Sequence, residues 1–177
     1  MSFAEVTAAV LEFVRQHPTW AAAIVFVMAF GESLPLASLV LPFWTLLVAI
    51  GALIGAAAPL TFWTIVSAAA IGAALGDWLS YWIGYRYQGR VERVWPFKKH
   101  KGLLAKARAL FKRWGAGAVA LARFSGPLRA TVPIVAGVAG MPALHFQLAN
   151  WISAFVWAFV LLSPGAWGLN TVLRWFR

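Results

Sequence analysis

Four ionisable residues stand in otherwise apolar stretches and are the first candidates for chemistry: Glu32, Asp77, Arg123 and Arg129. Between positions 20 and 85 the only formal charges are the two acids, and between 114 and 173 the only ones are the two arginines. An ionisable group within a membrane segment costs at least ~2.5–3.5 kcal/mol, so it pairs with an opposite charge or faces water. The pattern predicts a polar chamber in which acids from the first half meet bases from the second.

The two arginines flank a short Ser-Gly-Pro loop that suits an anion. Guanidinium groups bind phosphate oxygens as planar forks, and a glycine lets backbone amides approach the ligand. We therefore predict Arg123, Arg129, Ser125 and Gly126 as substrate-binding residues for a phosphate group. The alternative is that both arginines extend to lipid headgroups or simply neutralise the two acids.

The two acids are predicted to couple charge or protons to that site. Glu32 lies in a cluster of helix breakers, residues 31–35, where it would exchange protons or release the substrate; the alternative is a turn carboxylate or a static salt bridge. Asp77 stands in the middle of a predicted helix among Gly72, Gly76 and Gly84. There a structural ion pair between two helices is the competing interpretation.

The composition indicates a membrane protein. The 177 residues are 62% hydrophobic and 11% charged, whereas soluble domains average about 25% charged residues. A soluble enzyme is thereby excluded, and the absence of cysteine removes thiol nucleophiles, thiolate metal sites and iron–sulfur clusters. A single aspartate excludes an Asp–Asp pair, and three scattered histidines support no Ser–His dyad. The sequence predicts no enzymatic activity, no cofactor and no metal.

The basic residues are concentrated in one segment. Ten of the fifteen Lys and Arg residues lie between Arg86 and Arg113, together with a single acid, Glu92. This run lies between apolar stretches, so the positive-inside rule explains it better than nucleic-acid binding does. We expect this loop to be cytoplasmic and to attract anionic lipid headgroups.

The arrangement of apolar stretches predicts an all-α polytopic membrane protein. Residues 20–30 make only about 16 Å of helix, against ~30 Å for a hydrocarbon core. Short apolar halves around polar breaks occur once in each half of the chain, and each pair precedes a longer apolar segment. This order favours two opposed re-entrant helical hairpins, spanning helices, interfacial amphipathic helices and an inverted repeat.

One membrane domain, residues 1–177, is predicted. Its parts are an interfacial helix (1–18), a first re-entrant hairpin (19–58), a spanning helix (60–85), a basic loop with an amphipathic helix (86–114), a second re-entrant hairpin (115–141), a spanning helix (143–162) and a short C-terminal helix (165–177). Ser163, Pro164 and Gly165 are expected to break the chain between the last two.

These residues resemble the DedA family of membrane proteins, also called SNARE-associated or VTT-domain proteins. The matching positions are Phe30-Gly31-Glu32, Pro35 and Pro42; Gly72, Gly76-Asp77, Tyr81, Gly84 and Tyr85; and Arg123-Phe124, Pro127, Arg129, Pro133, Ala136-Gly137 and Met141. The resemblance implies facing re-entrant hairpins, lipid transport between leaflets, and dependence on Glu32, Arg123 and Arg129. One departure is Pro42-Phe43-Trp44, where many bacterial members carry an acid.

The function predicted from these observations is a lipid translocase of a bacterial inner membrane. Its substrate would be a phosphate-headed lipid, undecaprenyl phosphate first and a glycerophospholipid second, with possible coupling to protons. A proton-coupled transporter or channel for small solutes and a non-transport membrane scaffold are the alternatives. The sequence is compatible with an oligomer.

Overall fold

The structure is a computed structural model that describes residues 3–34, 46–51, 59–87, 109–125, 129 and 131–175. Every regular element in these ranges is helical. The helices are α1 (Phe3–Gln16), α2 (Ala21–Glu32), α3 (Pro59–Arg86), α4 (Ala116–Ala122), α5 (Val132–Val138) and α6 (Ala143–Trp175), with a 3-10 turn at Pro18–Trp20. Residues 46–51 and 109–114 are also helical. The coarse prediction of a helical membrane protein is thus confirmed.

Helices α1 and α2 each bury one face, but only α2 ends on a buried charged residue. In α1 the side chain of Val14 is buried while Glu12 and Phe13 are exposed, as expected of an amphipathic helix. In α2 the buried face recurs at helical spacing and ends on Glu32. With 12 residues, α2 is about 18 Å long and too short to cross a hydrocarbon core.

Two long helices form the frame of the molecule. Within α3 the range Phe62–Arg86, and within α6 the range Ala143–Pro164, are long and apolar enough to cross a membrane. Both carry large hydrophobic side chains on their outer surfaces, among them Trp63, Leu144 and Ile152. Such outward apolar surface suits contact with lipid.

Helix α3 is the central element, because it packs against α2, α5 and α6. Glycines allow the closest of these approaches. A methyl group on Gly72 would collide with the carbonyl oxygen of Phe26 in α2, and one on Gly84 would collide with that of Ile134 in α5. Small residues at helix crossings are the usual means of bringing backbones together in membrane proteins. One helix therefore contacts an arm of each predicted hairpin.

The second half of the chain turns sharply at two positions. Gly115, with a φ of 51°, precedes α4, and Gly140, with a φ of 76°, follows α5; both backbones are left-handed, which favours glycine. The hydroxyl of Tyr81 in α3 donates to the carbonyl oxygen of Met141 at 2.6 Å. This bond attaches the end of α5 to the central helix.

The apolar core consists of two clusters with polar residues between them. One cluster includes Ala74 of α3 and Ala154 of α6. The other includes Tyr81 of α3 and Ala149 of α6. Four buried polar side chains lie between these positions, Asp77 and Ser80 on α3 and Asn150 and Ser153 on α6. The polar region is therefore enclosed by apolar packing on either side.

The expected break at residues 163–165 is wrong. Helix α6 is continuous from Ala143 to Trp175 with Pro164 inside it, so no separate C-terminal helix begins at 165. Proline removes one backbone donor, and in membrane helices neighbouring side chains and local adjustments compensate for it. The Ser163 hydroxyl donates to the carbonyl oxygen of Phe159 at 2.5 Å, next to the Val160 carbonyl that loses its usual donor to Pro164.

The predicted hairpins lie only partly within the described residues. Helix α2 and the segment 46–51 belong to the first, and α4 and α5 belong to the second. Residues 35–45, which contain Pro42-Phe43-Trp44, and most of the basic loop, residues 88–108, lie outside the described residues. The re-entrant course and the inverted repeat stay predictions.

Candidate functional site

Arg123 lies directly after α4 and is buried in a network of side chains. Its Nη2 donates to the Asp77 carboxylate at 2.5 Å and to the Asn150 amide oxygen at 2.6 Å. Its Nε donates to the Ser153 hydroxyl at 3.0 Å. Hydrogen bonds to ionised groups are the stronger ones. The guanidinium is thus fixed by side chains of two long helices, α3 and α6.

Asn150 extends this network across the helix crossing. The residue is fully buried, and its Nδ2 donates to the carbonyl oxygen of Ala74 in α3 at 2.9 Å. Since its amide oxygen accepts from Arg123, one side chain connects α6, α3 and the turn after α4. A buried amide with both ends satisfied favours one arrangement of the packed helices.

Arg129 forms the second ion pair, with the acid at the end of α2. Its Nη1 donates to Glu32 Oε1 at 2.8 Å. The guanidinium carbon lies 4.4 Å from the ring centroid of Trp157, a buried residue of α6. Arg129 is also near enough to act electrostatically on both Asp77 and Arg123. The four charges therefore form one cluster.

The cluster joins the two halves of the chain. Each of its ion pairs takes an acid from the first half and an arginine from the second, separated by 46 and 97 positions. Two carboxylates and two guanidiniums give no net charge, which reduces the cost of keeping them away from water. The structure thus brings together Glu32, Asp77, Arg123 and Arg129, the four residues singled out from their isolation in apolar sequence.

Five buried polar atoms of this region have no hydrogen-bond partner among the described residues. They are Glu32 Oε2, Ser33 Oγ, Ser80 Oγ, Arg123 Nη1 and Arg129 Nη2. Two are guanidinium nitrogens and two are hydroxyls, so four of the five have hydrogens to donate. Buried donors without partners call for a ligand or water. An oxyanion accepts on every oxygen and would suit the two guanidinium nitrogens, whereas Glu32 Oε2 would suit it only when protonated.

The remaining two predicted binding residues do not join this set. Ser125 is exposed, and its hydroxyl donates to the carbonyl oxygen of Leu121 at 3.2 Å. It therefore caps its own helix in this conformation. Gly126 lies outside the described residues. Among those that the structure describes, no three His, Cys, Asp or Glu side chains group closely enough to hold a metal ion.

Three residues of the site were not predicted from the sequence: Asn150, Ser153 and Trp157. All belong to α6 and follow one another at spacings of three and four, so they share one face of the helix. Asn150 and Ser153 are polar side chains within a predicted span without formal charge, which is a usable signal. Nothing in the sequence distinguished Trp157 from the other tryptophans, because the chain contains eleven of them.

Comparison with known proteins identifies the family. The family model of the VTT domain matches residues 41–167, which is more than half of the chain. The chain belongs to this family, and the resemblance to DedA proteins is confirmed.

Individual relatives agree with that assignment. The chain is 38% identical over 154 residues to the inner membrane protein YabI of Escherichia coli K12, covering 86% of this chain and 60% of YabI. It is 34% identical over 148 residues to the inner membrane protein YghB of the same strain, covering 80% and 65%. An uncharacterized membrane protein of Buchnera aphidicola, BU139, is 31% identical over 153 residues, covering 86% and 59%.

The chain spans about three fifths of the length of these curated relatives. Their names support a location in a bacterial inner membrane. No solved structure matches the chain.

Proposed function

We propose that this protein is a multi-pass lipid translocase that moves a lipid with an anionic phosphate headgroup between the leaflets of a bacterial inner membrane. Undecaprenyl phosphate is the first candidate substrate and a glycerophospholipid the second. The observation that carries the proposal is the buried cluster of two ion pairs, in which Arg123 and Arg129 each have one guanidinium nitrogen without a partner among the described residues.

Each arginine holds a carboxylate at one edge and offers the other edge to a ligand. Arg123 Nη1 and Arg129 Nη2 have no partner in the part of the chain that the structure describes, and a tetrahedral phosphate has enough oxygens to accept from both. Arg123 is fixed by Asp77, Asn150 and Ser153, so it provides a stationary donor. Arg129 donates to the Glu32 carboxylate, and in this proposal it exchanges that carboxylate for the phosphate.

The charge balance of the cluster couples binding to a proton. A phosphate group adds at least one negative charge to a buried site that is neutral without it, and an uncompensated buried charge is costly. Protonation of Glu32 restores the balance, frees Arg129 for the phosphate, and converts Glu32 Oε2 into a further donor. Deprotonation lets Glu32 recapture Arg129 and release the headgroup. The lipid undergoes no chemical step in this cycle.

The surroundings of the cluster suit a headgroup whose tails stay in the membrane. Apolar side chains cover the outer surfaces of α3 and α6, where acyl or prenyl chains would remain in lipid. The basic segment 86–113 is proposed to face the cytoplasm and to attract anionic headgroups. The mechanism requires only one copy of the chain and is equally compatible with an oligomer.

The test is transport in vesicles reconstituted with purified protein. A fluorescent polyprenyl phosphate should cross between leaflets, whereas the polyprenol with the same tail should neither cross nor compete. Equal competition by polyprenol would overturn phosphate recognition. Equal transport of a tail-free phosphate monoester would favour the small-solute transporter instead. Loss of function on neutralising the basic segment alone, with cluster variants unaffected, would favour the scaffold.

A further inference from the structure

The Arg129–Glu32 ion pair has a further contact, with the ring of Trp157, that charge pairing does not account for. The guanidinium carbon of Arg129 lies over the Trp157 ring, 4.4 Å from the ring centroid, and the indole is buried. Arg113 and Trp114 form the other such contact among the described residues; its distance is 5.9 Å, and both residues are exposed. Cation–π attraction is larger where water is excluded, so the Trp157 contact is the stronger one.

The contact with the ring is compatible with hydrogen bonding by Arg129. A planar guanidinium donates within its own plane, so a ring on its face occupies none of its N–H groups. Nη1 donates to Glu32 Oε1, while Nη2 is buried without a partner among the described residues. The ring therefore stabilises the cation while Nη1 still donates to Glu32 Oε1.

We infer that Trp157 is a positioning residue that holds Arg129 in place while the guanidinium exchanges the Glu32 carboxylate for a phosphate oxygen. The inference rests on the proposed function. During such an exchange Arg129 passes through a state in which the first acceptor has left and the second has not arrived. A contact that persists through that state keeps the cation in the site, and the indole face is the contact the structure provides.

The main experiment compares the binding of undecaprenyl phosphate to detergent-solubilised variants. Trp157→Leu keeps an apolar side chain but removes the aromatic face, so the dissociation constant should rise roughly tenfold or more. Trp157→Phe keeps a weaker face and should recover most of the affinity. Trp151→Leu is the matched control, because Trp151 lies on the same helix with its side chain exposed, and its affinity should equal that of the parent.

A second measurement tests the contact without any lipid. Melting temperatures of the parent, Trp157→Leu, Arg129→Gln and the double variant form a double-mutant cycle. A direct stack predicts that Trp157→Leu lowers the melting temperature less in the Arg129→Gln background than in the parent. A ring that only fills the core predicts equal losses in both backgrounds.

The two measurements separate the two proposals. Parent-like affinity in Trp157→Leu, or equal losses in the melting cycle, would overturn the positioning role while leaving phosphate transport intact. A parent that binds no phosphate lipid, in spite of a coupled melting cycle, would overturn the proposed function; Trp157 would then stabilise the ion pair alone, and its role in exchange would fall as well.

Discussion

The two buried ion pairs resemble each other in charge and differ in how they are held. Arg123 donates to a carboxylate, an amide and a hydroxyl on two long helices. Among the residues that the structure describes, Arg129 donates to one carboxylate and lies over one aromatic ring. The Arg123 side chain is 3% exposed and the Arg129 side chain 10%. A charge with several fixed partners organises the fold, whereas a charge with one hydrogen-bonded partner is suited to exchange.

The largest effect should come from breaking the Asp77–Arg123 ion pair, because Arg123 has several hydrogen-bond partners. Asp77→Ala leaves Arg123 buried without its counter-charge, and we expect a loss of about 3–5 kcal/mol in the free energy of unfolding. Glu32→Ala should cost less, since the Trp157 face still stabilises Arg129 by about 2 kcal/mol. Denaturation of the purified variants in detergent measures both values. Equal losses would contradict the distinction between the two pairs.

The next effect concerns the planar fork of Arg129. Arg129→Lys keeps the charge but replaces the fork with a point donor, so the affinity for a polyprenyl phosphate should fall by about 1.5–3 kcal/mol, or roughly ten- to more than a hundred-fold. Folding should be near that of the parent. Arg123→Lys should lower both affinity and melting temperature, because that guanidinium has structural partners as well. Parent-like binding by Arg129→Lys would show that the residue balances charge without recognising phosphate.

A smaller effect is expected from removing the exchangeable carboxylate. Transport by the parent should fall as pH rises, because ionised Glu32 retains Arg129 and the headgroup must compete for it. Glu32→Gln should bind phosphate lipid about tenfold more tightly at the alkaline end, equivalent to about 1.4 kcal/mol, and its transport should be slow and should depend less steeply on pH than that of the parent, with the remaining slope due to the phosphate group itself. Rates in vesicles across a pH series measure this.

The control for that series is Glu12→Gln. Glu12 is an exposed acid of α1 that accepts a hydrogen bond from Gln16, so its variant should keep the slope of the parent. An unchanged pH profile in Glu32→Gln would exclude Glu32 from the coupling.

The smallest effect is expected from removing the Ser153 hydroxyl, which is one of the hydrogen-bond partners of Arg123. Ser153→Ala removes the acceptor of Arg123 Nε and leaves a buried donor unsatisfied, at a cost of about 1 kcal/mol. Because its other partners remain, Arg123 should keep its place and the affinity for phosphate lipid should change little. Ser125→Ala, at an exposed position, should stay within about 0.5 kcal/mol of the parent. A Ser153→Ala variant as damaged as Asp77→Ala would show that the hydroxyl, and not the ion pair, organises this crossing.

Much of the candidate site could be predicted because a charged residue within an apolar stretch can be recognised from the sequence alone. Glu32, Asp77, Arg123 and Arg129 were found in this way, and the cost of burying each charge alone predicted that they would meet. Ser125 belonged to the same predicted loop, yet its hydroxyl bonds to its own helix. Local hydrogen bonding competes with ligand binding for such side chains, and the sequence contains no measure of that competition.

The sequence by itself determined the properties that depend on composition and on neighbouring residues. These are the membrane character, the helical class, the approximate limits of α3, and the presence of two acids and two bases in apolar surroundings. They follow from hydropathy and helix geometry, which act within one or two turns of the chain. Such local properties did not predict that α6 continues through Pro164. That continuation depends on how the carbonyl group that loses its donor to the proline is accommodated in the folded protein.

Only the tertiary structure decided which charges pair and what surrounds them. Glu32 meets Arg129 across 97 positions, and Asp77 meets Arg123 across 46. The opposite pairing would have balanced charge equally well. The choice depends on where α3 crosses α2, α5 and α6, and glycines allow those crossings by letting the backbones approach. The same crossings bring Asn150, Ser153 and Trp157 to the arginines, since side chains on one face of α6 can reach them only once the helices have packed.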